Sequence, residues 1–236
     1  MTASKGWRHR RAWLRAALIA TMTIVLTAPF VSADPINLVL TPHQIQDIDQ
    51  RYGSAAADRI RAWEALMRQD GNLDTHSKLE VVNRFFNKLR FVSDQSHWGV
   101  DDYWATPVEF LATDGGDCED FAIAKYFTLR ALGVPTDRMR ITYVKAITLN
   151  QAHMVLAYYP SPGAEPLVLD NLIGEIKPAS QRTDLVPVYS FNGDNLWVAR
   201  EMRGQGQYVG SSSRIGLWRG LLERMRESPA QGVDNQ

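Results

Sequence analysis

The sequence holds one cysteine in 236 residues, Cys118. A lone thiol excludes an internal disulfide and leaves no zinc-type Cys/His cluster. Also missing are a glycine-rich phosphate loop and any internal repeat, which removes nucleotide binding through a phosphate cradle and repeat architectures. Excess positive charge is absent too. The chain carries 26 Lys/Arg against 26 Asp/Glu, so it lacks the basic footprint of a nucleic-acid binder.

What basic character there is sits at the start. Lys5, Arg8, Arg10, Arg11 and Arg15 precede an apolar run, Ala16 to Val31, and Val31-Ser32-Ala33 offers small residues for cleavage before Asp34. This is the layout of a secretory signal peptide over residues 1–33, and the run is short for a membrane span. Without it, 21 Lys/Arg face 26 Asp/Glu, a net −5. Export follows as the expectation. An oxidising compartment makes an idle exposed thiol a liability, so Cys118 should be either buried or at work.

The expected organisation is a leader at 1–33, one domain at 34–210, and a C-terminal helix with a flexible tail at 211–236. Thr41-Pro42-His43-Gln44 reads as a capping box with proline at the first helical position, opening a helix that stops at Gly53. A second helix carries Ile60, Trp63 and Met67 on one face. A third, from Asp74 or Thr75, carries Leu79, Val82, Phe86 and Leu89. Phe91 to Gly116 is an aromatic, irregular stretch, long for a loop, whose Trp98, Tyr103 and Trp104 either line a cleft or pack on one another. Phe121 to Leu132 is a central helix closed by Gly133 and Pro135. Strand patterns follow at Met139–Ala146, Ala152–Tyr159, Leu167–Asp170, Val186–Phe191 and Leu196–Ala199. The last two flank the hairpin turn Asn192-Gly193-Asp194-Asn195. Helices first and an antiparallel sheet after them make the class α+β. Leu217, Trp218, Leu221, Leu222 and Met225 give the terminal helix one apolar side.

Cys118 stands just before the central helix, where the positive end of the helix dipole favours thiolate. Two glycines precede it and let the backbone approach something closely. Acyl transfer through a thiol needs a base and a group that orients the base. His153 lies 35 residues on, in the middle strand, and Asp170 another 17 on, at the end of the next strand. By spacing alone His153 is equally a satisfied core histidine. His43 and His76 belong to helix starts, and His97 to the aromatic stretch. Asp117, Glu119 and Asp120 crowd the thiol with carboxylates, which oppose thiolate formation. Some of them suit a helix start, and a hard cation would offset them.

The run Gly115-Gly-Asp-Cys-Glu-Asp-Phe-Ala122, Leu132-Gly133-Val134-Pro135, Ala152-His153-Met-Val155 and Leu169-Asp170-Asn171 resembles the bacterial transglutaminase-like cysteine proteinases over residues 40 to 200. The resemblance implies a papain/transglutaminase-like fold and a Cys118–His153–Asp170 triad. It also implies calcium held by Asp117, Glu119 and Asp120. As substrate it implies a large cell-surface repeat adhesin, cut near its N-terminus at a site containing Ala-Ala. The expected inhibitor is the periplasmic domain of an inner-membrane cyclic-di-GMP receptor, so that a fall in cyclic-di-GMP frees the protease and disperses the biofilm. Two alternatives stay open: a transglutaminase-type acyltransferase using the same triad, and a calcium-stabilised binding module without catalysis.

Overall fold

The computed structural model describes residues 36, 38–68, 73–198 and 206–227, which belong to one packed unit. The leader at 1–33 and the tail from Ser228 lie outside the described residues.

Three helices come first. Helix α1 (Pro42–Tyr52) opens on the expected capping box, with the Gln44 amide donating to Thr41 Oγ1 and the Thr41 amide to Gln44 Oε1 at 2.8 Å. Gly53 ends it at φ 84, a left-handed conformation that costs glycine little. Helix α2 (Ser54–Met67) buries Ile60 and Trp63 completely. Helix α3 (Thr75–Phe86) is capped by Asp74, whose carboxylate accepts from the Ser77 amide at 2.7 Å.

The aromatic stretch is shorter on loop than its sequence suggests. A two-residue strand β1 (Arg90–Phe91) pairs in parallel with β2 (Gly115–Gly116), pinning both ends of the excursion. Between them lie α4 (Asp94–His97) and α5 (Pro107–Thr113), the latter with its own Thr106/Glu109 capping box.

Helix α6 (Cys118–Ala131) begins three residues before the apolar run does, so Cys118 occupies its first position. The polar first turn hides that start from any periodicity argument. Asp120 supplies the reason it forms: its Oδ2 accepts the Asp117 N–H at 3.2 Å. Residues 119–129 are all buried, which is why the helix is central. Trp63 Nε1 donates to Thr128 Oγ1 at 2.7 Å and fixes α2 against it.

The sheet has seven antiparallel strands in the order β6-β5-β4-β3-β7-β8-β9. These are β3 (Met139–Ala146), β4 (Gln151–Tyr158), β5 (Leu167–Leu169), β6 (Lys177–Pro178), β7 (Leu185–Phe191), β8 (Asn195–Val198) and β9 (Gln207–Ser211). Five were expected within a residue or so. Two, β6 and β9, carry no alternation that marks them. Met154, Leu156, Leu169, Ile141 and Phe191 join the main core with α6. Val144, Val155, Val168 and Leu185 form a smaller apolar cluster on the other face. By strand alternation His153 shares the face of Val155, and Asp170 that of Val168.

Helix α7 (Gly216–Glu227) docks onto the unit through Trp218, Leu221 and Met225. Trp218 stacks on Phe127, with centroids 5.6 Å apart, and meets Tyr126 and Phe191 edge-on.

Candidate active site

A cavity of about 510 Å³ opens where the start of α6 meets the start of β4, and it brings Cys118 and His153 to one surface. Trp104, Tyr143, Tyr189 and, from the α7 entry, Ile215 and Leu217 supply its apolar lining. Tyr143 and Tyr189 lie flat on each other across β3 and β7, centroids 5.0 Å apart. Of the two readings of the aromatic stretch, cleft lining holds for Trp104 alone. Trp98 and Tyr103 pack on each other, and the Tyr103 hydroxyl donates to Glu109 at 2.8 Å.

His153 and Asp170 are joined. His153 Nε2 lies 2.8 Å from Asp170 Oδ1, both side chains essentially fully buried. The pairing of Leu156 with Leu169 sets this, because it places the two residues diagonally on one face of neighbouring strands. Asp170 Oδ1 also accepts the Leu172 N–H at 3.1 Å, and Oδ2 accepts from Arg182 Nη2 at 2.7 Å. Burial works to raise the Asp170 pKa, but the His153 contact, the Leu172 amide and Arg182 outweigh it and bring it down to about 2. Asp170 is an anion at every physiological pH. Lys125, fully buried on α6, also feels that anion; burial lowers its pKa to about 7 and Asp170 resists the fall.

The thiol is half-buried, and Cys118 Sγ donates to Glu119 Oε2 at 3.1 Å. Burial, then the Glu119 and Asp117 carboxyls, pushes the thiol well above its ordinary pKa, while the Met154 amide pulls the other way. The sequence-level conflict between carboxylates and thiolate is therefore real.

Around the thiol the carboxyl groups are more numerous than the motif reveals. Asp94 and Asp102 come in from the aromatic stretch to join Asp117, Glu119 and Asp120. Oxygens of Asp94, Asp117 and Asp120 lie within 4.8 Å of one another, as do oxygens of Asp94, Asp102 and Glu119. Asp94 Oδ1 and Asp117 Oδ1 are buried with no hydrogen-bond partner. Burial first, then Asp117 and Asp102, lifts the Asp94 pKa to about 6. Orphaned carboxylate oxygens in an all-oxygen set fit a hard divalent cation. Asp120 differs from the rest. It is fully buried, with Oδ1 accepting the Ala105 N–H at 2.8 Å and Oδ2 the Asp117 N–H. A Cβ at Gly116 would overlap this carboxylate. That is the close approach for which the glycine is there.

The structure brings together all six expected residues: Cys118, His153 and Asp170, with Asp117, Glu119 and Asp120 around the first. Asp94, Asp102 and Arg182 were missed. The pair Asp101-Asp102 was a visible acidic signal; Asp94 and Arg182 had none.

The family model of the bacterial transglutaminase-like cysteine proteinases matches residues 51–202. The chain belongs to that family. Among solved structures, Legionella pneumophila LapG in its EGTA-treated form is 46% identical, with a TM-score of 0.69, over 79% of this chain and 98% of that one. The calcium-bound form of Legionella pneumophila LapG is 47% identical, TM-score 0.67, over 79% of this chain and 99% of that one. No curated protein sequence matches the chain. As a bacterial transglutaminase-like cysteine proteinase the chain is LapG-like, and its mixed helix and antiparallel-sheet architecture is that of the family. No helix among the described residues is long and apolar enough to cross a membrane.

Proposed function

We propose that this cysteine proteinase is a calcium-dependent periplasmic endopeptidase with a Cys118–His153–Asp170 triad. Its substrate is the N-terminal region of a large cell-surface repeat adhesin, whose release disperses the biofilm. The observation that carries the reading is the buried 2.8 Å His153–Asp170 contact beside the cavity that holds the chain's one thiol.

With Asp170 ionised, His153 keeps its proton on Nε2, leaving Nδ1 as the basic nitrogen. His153 takes the thiol proton through Nδ1, and the sulfur attacks a backbone carbonyl of the bound adhesin. The free amide of Cys118, at the first position of α6, donates to the developing oxyanion. His153 then returns its proton to the leaving amine, and water hydrolyses the thioester. The aromatic walls, Trp104, Tyr143 and Tyr189, hold an extended segment against the thiol.

Asp117, Glu119 and Asp120 would hold calcium together with Asp94 and Asp102, whose oxygens meet theirs. When bound, the ion supplies positive charge that offsets the carboxylates beside Cys118 and fastens the aromatic stretch to the start of α6. The calcium-bound LapG relative, similar over nearly its whole length, supports this assignment. The periplasmic domain of an inner-membrane cyclic-di-GMP receptor serves as the inhibitory partner, releasing the protease when cyclic-di-GMP falls.

The test is cleavage of the recombinant N-terminal region of the adhesin encoded by the same genome. Wild-type protein with calcium should cut it, giving products whose masses sum to substrate plus water. Cys118→Ala and EGTA-treated wild type should leave it intact. Amine incorporation without a cut would replace the protease with an acyltransferase. Full-rate cleavage by Cys118→Ala would remove the triad.

A further inference from the structure

Asp170 needs an orientation as well as a charge. Its carboxylate must present Oδ1 to His153 and keep doing so while the imidazole gains and loses a proton. A partial rotation about its Cβ–Cγ bond would swing that oxygen off the ring nitrogen and lose the contact. One oxygen is held by His153 and the Leu172 amide. The other is held by Arg182.

Arg182 follows a short 3-10 turn, Ala179–Gln181, and precedes β7. Its side chain is 2% exposed, which is rare for arginine unless it is paired. The guanidinium grips two carboxylates. Nε and Nη2 donate to Asp184 Oδ1 and Oδ2 at 3.0 and 2.8 Å, a fork-on-fork arrangement. Nη2 donates as well to Asp170 Oδ2 at 2.7 Å. Asp184 thus orients the guanidinium, which in turn orients Asp170. The backbone adds a second constraint, since the Arg182 amide donates to Ala179 O and its carbonyl accepts the Leu185 amide at 3.1 Å. The chain is therefore tied into both the turn and the start of β7.

We infer that Arg182 is a positioning residue: by holding Asp170 Oδ2 it fixes Oδ1 on His153 and so sets the base that serves Cys118. The inference rests on the triad reading above. The ionisable groups facing Asp170 are His153 from β4, Lys125 from α6, and Arg182 and Asp184 before β7. Of these, Lys125 makes no hydrogen bond to the carboxylate and Asp184 reaches it through Arg182; His153 is the group being oriented, and Arg182 is the cation bonded to the oxygen that His153 does not use. A lysine at 182 would place one ammonium where a rigid fork now stands, keeping the charge and losing part of the geometry.

The experiment uses the calcium-loaded chain and iodoacetamide, which reports the reactivity of Cys118 without any adhesin. Alkylation rates are compared across pH for wild type, Arg182→Met, Arg182→Lys, Asp170→Asn and the Arg182→Met/Asp170→Asn double variant, with Cys118→Ala as blank. We expect Arg182→Met to slow alkylation about tenfold or more and to shift its pH profile, and Arg182→Lys to recover most of the loss. In the Asp170→Asn background the same Met substitution should change the rate by less than about twofold, because a residue acting through Asp170 has nothing left to position. A folded Arg182→Met variant that matches wild type overturns the inference, as does an equal loss with and without Asp170. Should Arg182→Met not fold, Arg182→Lys decides. Read in both backgrounds, a loss confined to the chain that retains Asp170 supports the positioning role, and an equal loss in the Asp170→Asn background, or no loss at all, overturns it. A wild-type rate for Asp170→Asn itself removes the triad reading instead.

Discussion

Trp218 gives the most direct test of how the C-terminal helix serves the cleft. Its indole is wholly buried, stacked on Phe127 and edge-on to Tyr126 and Phe191. Replacing it by alanine should cost about 3–5 kcal/mol, the usual loss when a fully buried Trp is truncated and its cavity cannot collapse. For a chain of this size that corresponds to a fall of roughly 6–20 °C in melting temperature. A ceiling applies, however. Once the loss exceeds the docking energy of α7, the helix lifts away and the remainder of the domain stays folded. What holds α7 beyond Trp218 is Leu221, Met225 and Arg224, whose guanidinium donates to Trp104 O and stacks on Tyr103. Either outcome disturbs Ile215 and Leu217 at the cavity wall. The KM for the adhesin fragment should therefore rise more than kcat falls. Trp218→Phe is the control: the indole N–H has no partner, so losing it leaves no acceptor unsatisfied, and the cost should be about a third of the alanine value. Thermal unfolding with calcium present, alongside cleavage kinetics, reads both effects. A melting temperature within about 2 °C of wild type and an unchanged KM for Trp218→Ala would refute the idea that this residue fastens the wall.

Two further outcomes follow from single contacts. The Asp170 pKa lies near 2 in the folded chain, below its ordinary 3.8. A depressed pKa contributes stability that is fully present above the unfolded value and is lost as pH falls through the folded one. Wild type should therefore exceed Asp170→Asn by about 2 kcal/mol in denaturant unfolding near pH 6, with the gap shrinking between about pH 4 and pH 2; a gap constant across that window would contradict the pairing. Gly116→Ala drives a methyl group into the Asp120 carboxylate. It should destabilise the chain by about 1–3 kcal/mol and weaken calcium binding, read by calorimetry, whereas Gly133→Ala should show a stability loss with calcium binding intact.

Much of the fold is legible in the sequence because its signals are local. The capping boxes at Thr41 and Thr106, the cap at Asp74 and the stop at Gly133 mark helix ends through hydrogen bonds that close within four residues. Alternation in Met139–Ala146 and Gln151–Tyr158 marks strands because each has one face in the main core. The helix start at Cys118 is harder to read. Its first turn is polar, and the carboxylate that caps it, Asp120, looks in sequence like another acid beside the thiol. Strands β6 and β9 are edge elements too short or too irregular for a period. At the site, Cys118, His153 and Asp170 stand out as residue types in a sensible order. Arg182, Asp94 and Asp102 are brought in by tertiary packing alone, from 12, 24 and 16 positions away in the chain from Asp170 or Cys118. No local pattern encodes that.

The bond between His153 and Asp170 depends on strand register and hardly at all on how many residues separate them. The Tyr159–Pro166 connection between β4 and β5 carries an exposed turn at Pro160–Gly163, and nothing in the pairing of Leu156 with Leu169 passes through it. A peptide tag spliced into that turn would lengthen the interval while leaving the two side chains on their shared face. One residue inserted in β4 between His153 and Leu156 would do the opposite, turning the imidazole to the other face of the sheet and away from the Asp170 carboxylate. Homologues are thus better aligned by their paired strands than by a fixed count between motifs. The same turn is a natural place to attach a reporter to a working enzyme.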